Sequence, residues 1–151
     1  MVYTVPHFDF HFYVVSLAAR DAILPTDPDF ATKAGNLPPQ ADRPANYKAD
    51  AIPGGATIAV PRMGVHWTNS ASHEFHGSPF DVTFVVGSWN GSFTFLEPMV
   101  ELSYLKSKPD FQAAAAVPGT FGAAGDRPAG YRVSWNAEAK EYRVALTGLG
   151  G

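Results

Sequence analysis

Cysteine is absent from the 151-residue chain, which excludes disulfide bonds, thiolate nucleophiles and metal sites with cysteine ligands. An excess of positive charge is also missing. The chain has 11 Lys and Arg residues against 14 Asp and Glu residues, a formal net charge of −3, and no basic run. Proteins that bind nucleic acid independently of its sequence need a basic surface, so we predict no nucleic-acid partner.

Long apolar runs are lacking as well. None approaches the roughly 20 residues that a helix needs to cross a membrane, so the sequence predicts no membrane span. No secretion leader is visible, because sequence typical of a strand follows Met1 almost at once. This start raises the expectation that an N-terminal segment is missing. The lack of cysteine suits an exported protein, periplasmic or extracellular, although cytoplasmic proteins share it.

Aromatic residues, by contrast, are abundant, with eleven Phe, six Tyr and three Trp. The hydrophobic fraction is 46% and the charged fraction is 17%, as in a globular chain and unlike a disordered one. A length of 151 residues is enough for one domain with a substantial core. We therefore predict a single domain over residues 1–151.

Short runs with alternating or continuous apolar residues dominate the chain and predict an all-β fold. The clearest pair is a hairpin joined by Asn90-Gly91, the residues that a tight hairpin turn favours. We predict a cupin-like or jelly-roll-like β-sandwich or barrel with two short helices, at 17–23 and 99–107. The predicted strands cover residues 2–15, 56–60, 63–68, 80–89, 92–96, 131–135 and 142–146.

A proline-rich segment over residues 24–53 interrupts this pattern and has few periodic apolar positions. An irregular segment of this length inside a compact domain is usually a lid, a binding loop or an arm. We therefore expect 24–53 to cover the functional site or to contact a neighbouring subunit. The segment 112–129, rich in alanine and glycine, is expected to be a second loop.

The most informative stretch is Pro6-His7-Phe8-Asp9-Phe10-His11-Phe12-Tyr13. In a strand, alternate residues point to opposite faces, so His7, Asp9 and His11 share one face and the phenylalanines share the other. Imidazoles and carboxylates are ligands for divalent metals. The pattern therefore predicts one wall of a metal site, and the competing interpretation is a solvated polar face.

Two further residues extend this hypothesis. His66 lies in a predicted strand, and Glu97 ends the second strand of the Asn90-Gly91 hairpin, where it continues an apolar face. A buried carboxylate needs a partner, which a structural ion pair or a metal ion could supply. We predict one divalent metal bound by His7, His11, His66 and Glu97, with Zn favoured and Mn, Fe or Cu as alternatives.

Strand geometry leaves the role of Asp9 open. Residues i and i+4 of a straight strand lie roughly 13 Å apart, so His7 and His11 could reach one ion only from opposite sides. A bulge near Pro6 could bring them together, with Asp9 orienting one of them as a hydrogen-bond acceptor. Alternatively, Asp9 ligates the ion beside one histidine, and the other binds substrate or transfers protons. In either arrangement we treat Asp9 as the candidate catalytic residue.

Aromatic residues near these positions predict a pocket for a small organic substrate, formed by Tyr13, Trp67 and Phe95. A metal with an open coordination position would support hydrolase or lyase chemistry, and a redox-active metal would support oxygen chemistry. The alternative is a non-catalytic, oligomeric protein that binds a metal or a small molecule. His73 and His76 lie in a polar loop, where we expect a solvated pair.

The segments PHFDFHFY, PRMGVHW and FLEPM, in this order, resemble a bacterial family of unknown function named after a Thermus protein, the TTHB210-like (DUF5602-type) domain. The resemblance covers residues 3–147. It implies an exported or envelope-associated β-protein that forms homo-oligomers, with β-rich sequence before the first segment. The resemblance supplies no reaction.

Overall fold

The computed structural model describes residues 2–121 and 127–150, and its regular structure is mostly β-strand. The strands are β1 (His7–Asp9), β2 (Phe12–Tyr13), β3 (Tyr47–Ala49), β4 (Ala59–Val60), β5 (Gly64–Asn69), β6 (Val82–Trp89), β7 (Ser92–Glu101), β8 (Asp110–Ala114), β9 (Gly130–Asn136) and β10 (Glu141–Thr147). The described α-helices are α1 (Leu17–Asp21), α2 (Phe30–Gly35) and α3 (Leu102–Lys106), with 3₁₀ turns at Gln40–Asp42 and His73–His76. Within this part of the chain, no helix is long and apolar enough to cross a membrane.

The strands form two antiparallel sheets. The larger sheet has the order β1-β7-β6-β5-β3, with β2 also paired to β7 and β4 to β5, and the smaller has the order β10-β9-β8. In the described ranges neither sheet closes into a barrel. The expectation of a mostly β fold is therefore confirmed, with three described helices where the sequence predicted two.

The β6–β7 hairpin is the centre of the larger sheet. Asn90 and Gly91 form its turn with φ angles of 46° and 83°, the left-handed backbone that favours these two residue types. Strand β7 is longer than predicted, because Val100 pairs with both Phe8 and Val82 and is fully buried. The helix predicted to begin at Met99 therefore begins only at Leu102.

The N-terminal histidine-containing strand runs along β7 in one continuous register. Asp9 faces Met99 and Phe12 faces Leu96, so no bulge draws the first histidine toward the second. The break between β1 and β2 has a local cause. Pro98 accepts a hydrogen bond of 3.0 Å from the Phe10 nitrogen, but it has no N–H group to donate in return.

The main core lies between the two sheets. Trp67, Phe84 and Leu96 come from the larger sheet and meet Tyr131 and Val133 of the smaller one. The Phe84 and Tyr131 rings, for example, lie 4.7 Å apart between centroids. Because side chains alternate along each strand, the residues between these core positions point to the opposite face of the larger sheet. That opposite face carries the candidate site.

The proline-rich segment 24–53 is not irregular throughout, which corrects the sequence-based expectation. It contains α2, a 3₁₀ turn and β3, and β3 pairs with β5 at the edge of the larger sheet. The Tyr47 hydroxyl donates a buried hydrogen bond of 2.7 Å to the Phe84 carbonyl. The formation of β3 depends on its pairing with β5, about twenty residues later in the sequence, and local periodicity contains no signal for such pairing. The role of the segment as a lid or arm remains a prediction.

The expected loop over 112–129 begins with the end of β8, which the sequence analysis missed. Strand β8 pairs with β9 and alternates exposed with half-buried residues. The alanines over 113–116 conceal this alternation, because a small side chain fits either face. Residues 122–126 of the expected loop lie outside the described residues.

Candidate metal centre

Three side chains converge on the face of the larger sheet that points away from the main core: His11, His66 and Glu97. Each offers one ligand atom, and these atoms all lie within 4.8 Å of one another. The His11 Nε2 atom lies 3.5 Å from Glu97 Oε1, and the His66 Nε2 atom lies 3.6 Å from Glu97 Oε2. The carboxylate therefore lies between the two imidazoles.

Strand pairing explains how three distant parts of the sequence meet. The register of β1 and β2 places His11 directly opposite Glu97 on β7. Glu97 in turn pairs with Val85 of β6, and His66 of β5 pairs with Gly87, the residue two positions further along β6. The cluster thus spans four neighbouring strands: His11 lies in the short break between β1 and β2, whereas Glu97 and His66 lie within β7 and β5.

The Phe95 ring packs against both imidazoles. Its ring centroid lies 4.8 Å from that of His11 and 5.3 Å from that of His66. The ring occupies the place of a side chain at Gly87, since a Cβ atom there would lie 2.0 Å from a ring carbon. The Tyr13 ring stacks on His11, with 5.8 Å between centroids and 14° between planes. The position of the Phe95 ring therefore requires glycine at residue 87 of β6.

Two polar atoms of the cluster lack hydrogen-bond partners. They are His11 Nε2 and Glu97 Oε2, both fully buried from solvent. The side-chain exposures of His11, His66 and Glu97 are 14%, 17% and 2%. Burying an unpaired carboxylate or imidazole nitrogen costs free energy, so such atoms in a folded protein call for a partner. A cation bound between them would satisfy both.

The electrostatic setting disfavours a permanent ion pair, and a metal ion bound here would displace the proton that Glu97 keeps at pH 7. Burial raises the pKa of Glu97 to about 8, with further increases from the negative charges of Asp9 and Asp50. Burial lowers the pKa of His66 to about 4, with a smaller contribution from His11, and burial also lowers the pKa of His11. Both imidazoles are therefore neutral at pH 7, the form that binds metals, and neither supplies positive charge to Glu97.

These shifts give a prediction for the metal-free protein, prepared with a chelator. Between pH 6.5 and 8 the unfolded chain has an ionised Glu97, whereas the folded chain keeps its carboxyl protonated, so stability falls as pH rises. Below pH 6.5 the lowered pKa of His66 acts in the opposite direction, because the unfolded imidazole binds a proton that the folded one refuses. Part of the His66 contribution persists at pH 6.5, so we expect the free energy of unfolding to fall by about 1 kcal/mol from pH 6.5 to pH 8.

Urea denaturation at the two pH values measures this change. Glu97→Gln, which mimics the protonated acid, is the control and should remove the decrease. A metal-free wild-type protein whose stability is flat or rising over this interval would contradict the pKa assignment.

The structure does not bring the other predicted ligand, His7, into the cluster. His7 Nδ1 lies 2.6 Å from the Val5 carbonyl oxygen, and His7 Nε2 lies 3.3 Å from Asp9 Oδ1. Because the strand has no bulge, His7 stays four residues along the strand from His11 and does not reach the cluster. Asp9 therefore contacts His7, not a cluster histidine, although it lines a cleft beside His66 and Glu97.

The predicted aromatic pocket is only partly formed. Tyr13 and Phe95 lie against His11, as described above. Trp67 lies on the opposite face, where its Nε1 atom donates a hydrogen bond of 2.8 Å to Ser88 Oγ in the main core. Because His66 and Trp67 are consecutive in β5, the two side chains point to opposite faces, and the assignment of Trp67 to the substrate pocket is corrected.

The loop histidines stay apart from the cluster as well. His73 Nε2 lies 3.0 Å from the Pro79 carbonyl oxygen, and His76 Nε2 lies 3.1 Å from the Ser70 carbonyl oxygen. Both contacts are exposed, and both histidines lie in the 3₁₀ turn His73–His76.

Sequence reasoning missed three polar residues of the cleft beside the cluster: Tyr3, Asp50 and Thr68. Asp50 follows β3, and its nitrogen donates a hydrogen bond of 2.8 Å to the His66 carbonyl oxygen. No local spacing signals this position, because it depends on the pairing of β3 with β5. Thr68 could have been found, since it shares a face of β5 with His66.

The dimensions of the cluster fit a metal ion. Two bonds of about 2.0–2.1 Å at a tetrahedral angle place their ligand atoms roughly 3.4 Å apart. The Nε2 atoms of His11 and His66 lie 3.5 and 3.6 Å from the two different oxygens of Glu97, so one ion would bind between both imidazoles and both carboxylate oxygens. Three protein ligands also leave at least one coordination position for water or substrate. No family model, curated protein or solved structure matched this chain.

Proposed function

We propose that this protein is a metal-dependent enzyme for a small organic molecule, with one divalent cation bound by His11, His66 and Glu97. The observation that carries the proposal is the convergence of three buried ligand atoms, two of which have no other partner. A divalent cation held there would polarise a substrate oxygen or lower the pKa of a bound water, which are the requirements of hydrolase and lyase chemistry.

The residues around the cluster are arranged to keep its geometry fixed. Phe95 and Tyr13 pack against the imidazoles, and the β-sheet register holds the three donors. Preorganised ligands of this kind are typical of sites that must retain a metal through turnover. Two imidazoles with one carboxylate suit Zn, Mn or Fe(II), and with Fe the same set would support oxygen chemistry.

The alternative is a protein that binds the metal without catalysis. The number of protein ligands separates the two proposals, because a structural zinc site is closed by four of them. Only His11, His66 and Glu97 form such a group among the described residues. The open position favours the enzyme.

Several finer parts of the proposal go beyond the cluster. They are a cupin-like or jelly-roll-like arrangement of the two sheets, zinc as the natural metal, membership of the TTHB210-like family, export from the cytoplasm and assembly into a homo-oligomer. The β-sandwich layout supports the first, and the donor set supports the second. The remaining three rest on the sequence segments quoted above.

The test is metal analysis of protein purified without added metal, followed by loading with Mn²⁺. We expect about one equivalent of a divalent metal by mass spectrometry, and an enhanced relaxation rate of water protons in the Mn²⁺-loaded protein. Protein that neither contains nor takes up metal would contradict the proposal. Tight binding without an exchangeable water would support the non-catalytic alternative.

A further inference from the structure

A cleft of about 190 Å³ lies directly beside the cluster, and it has a distinctive lining. His66 and Glu97 form one part of its wall, so a molecule in the cleft would contact the cluster. The cleft therefore has room for a small organic molecule beside the cluster.

The charge of the lining is one-sided. Asp9, Asp50 and Glu97 all contribute, and no lysine or arginine is among the described residues that line the cleft. Glu97 Oε2 is buried and has no hydrogen-bond partner. With a divalent ion held by Glu97 and two neutral imidazoles, the three carboxylates of the lining outweigh the two positive charges of the ion, so the lining keeps a net negative charge. Such a wall repels carboxylate and phosphate groups and attracts a cation.

The two aspartates reach the cleft from different strands of the sheet. Asp50 follows β3 and donates its backbone hydrogen bond to His66, whereas Asp9 lies on β1, at the other edge of the sheet. Val85 and Met99 supply apolar surface in the same cleft. A ligand with a charged end and an apolar body would match both kinds of surface.

We infer that this cleft selects a small organic cation, such as a molecule with a primary ammonium group, and that the Asp9 and Asp50 carboxylates in its wall attract the charged end. The inference deepens the proposed function and rests on it, since it names the substrate class of the same site. A second metal ion fits less well. Neither aspartate belongs to the group of ligand atoms within 4.8 Å of one another, and a bare ion would make no favourable contact with the apolar surface of the cleft.

The experiment compares three probes of nearly equal size by calorimetry: n-butylammonium chloride, n-butanol and sodium butyrate. Zinc-loaded and metal-free wild-type protein are both used, at pH 7 and constant ionic strength, after zinc content has been measured. We expect n-butylammonium to bind at least about tenfold more tightly than either other probe. Asp9→Asn and Asp50→Asn should each weaken its binding about tenfold while keeping one equivalent of zinc. Glu138→Gln, in the exposed turn between β9 and β10, is the matched control and should change nothing.

The outcomes separate this inference from the proposed function. If the protein takes up no zinc when loaded but still prefers n-butylammonium, the proposed metal is refuted and the cation site is kept. Zinc binding with equal affinity for all three probes, or with no effect of either aspartate variant, overturns the inference alone. A second equivalent of zinc that disappears in both variants overturns it in favour of a second metal ion.

Discussion

Replacing His66 with alanine should lower metal affinity by more than about 100-fold while the protein still folds. The reason is the loss of one of three ligands, a larger change than the roughly 10–100-fold that follows from removing a residue hydrogen-bonded to a ligand. His11→Ala should have an effect of the same size, because the two histidines lie at similar distances from Glu97. Competition with a chromophoric chelator measures both affinities, and circular dichroism checks the fold.

The matched control is His7→Ala, on the same face of the same strand. The ring nitrogens of His7 face the Val5 carbonyl oxygen and Asp9, and its ring packs against Phe80, so its replacement should change metal affinity by less than about tenfold. Asp9→Asn should likewise keep the metal, because Asp9 does not contact a cluster histidine. Equal, near-complete losses in His7→Ala and His66→Ala would instead restore the four-ligand set that the sequence predicted.

The sequence was sufficient to find the three cluster residues, and the reason is that strand alternation is local. His11 was separated from the phenylalanines by the period of two, and Glu97 continued the face defined by Phe95. Both assignments needed only the direction of neighbouring side chains. The same rule, applied to the pair His66-Trp67, would have excluded Trp67 from the pocket.

Other features depended on pairing between distant segments. The inclusion of His7 assumed a bulge near Pro6, whereas the proline that interrupts the strand pairing is Pro98 on the neighbouring strand. The position of Asp50 required the short strand β3, which is hidden in a proline-rich segment and stabilised mainly by its contacts with β5. Strand propensity is weak where tertiary packing decides the outcome.

The second large effect concerns a residue that offers no functional group. Gly87→Ala should lower the free energy of unfolding by about 3 kcal/mol, at the upper end of what overpacking a core usually costs. The added Cβ atom would lie 2.0 Å from a carbon of the Phe95 ring, so the ring must move. In a protein of this length the melting temperature should fall by about 6–12 °C.

The metal site should suffer together with the fold. The displaced Phe95 ring has little free space, because His11 and His66 pack against it at 4.8 and 5.3 Å. We therefore expect Gly87→Ala to weaken metal binding as well, although residue 87 bears no ligand. Gly35→Ala is the control, since a Cβ atom there meets nothing within 4 Å and alanine favours the helix.

A double variant identifies the cause. In Gly87→Ala/Phe95→Leu the shorter side chain leaves room for the new methyl group, so the loss of stability should be smaller than the sum of the two single losses. Thermal and urea denaturation of the four proteins give the coupling free energy, and chelator competition shows whether metal affinity recovers in parallel. Strictly additive losses, or a Gly87→Ala protein as stable as Gly35→Ala, would mean that the position of the Phe95 ring does not require glycine at position 87. The Phe95 ring contacts both imidazoles. Recovery of both stability and metal affinity in the double variant would therefore show that Gly87 supports the cluster by leaving room for this ring.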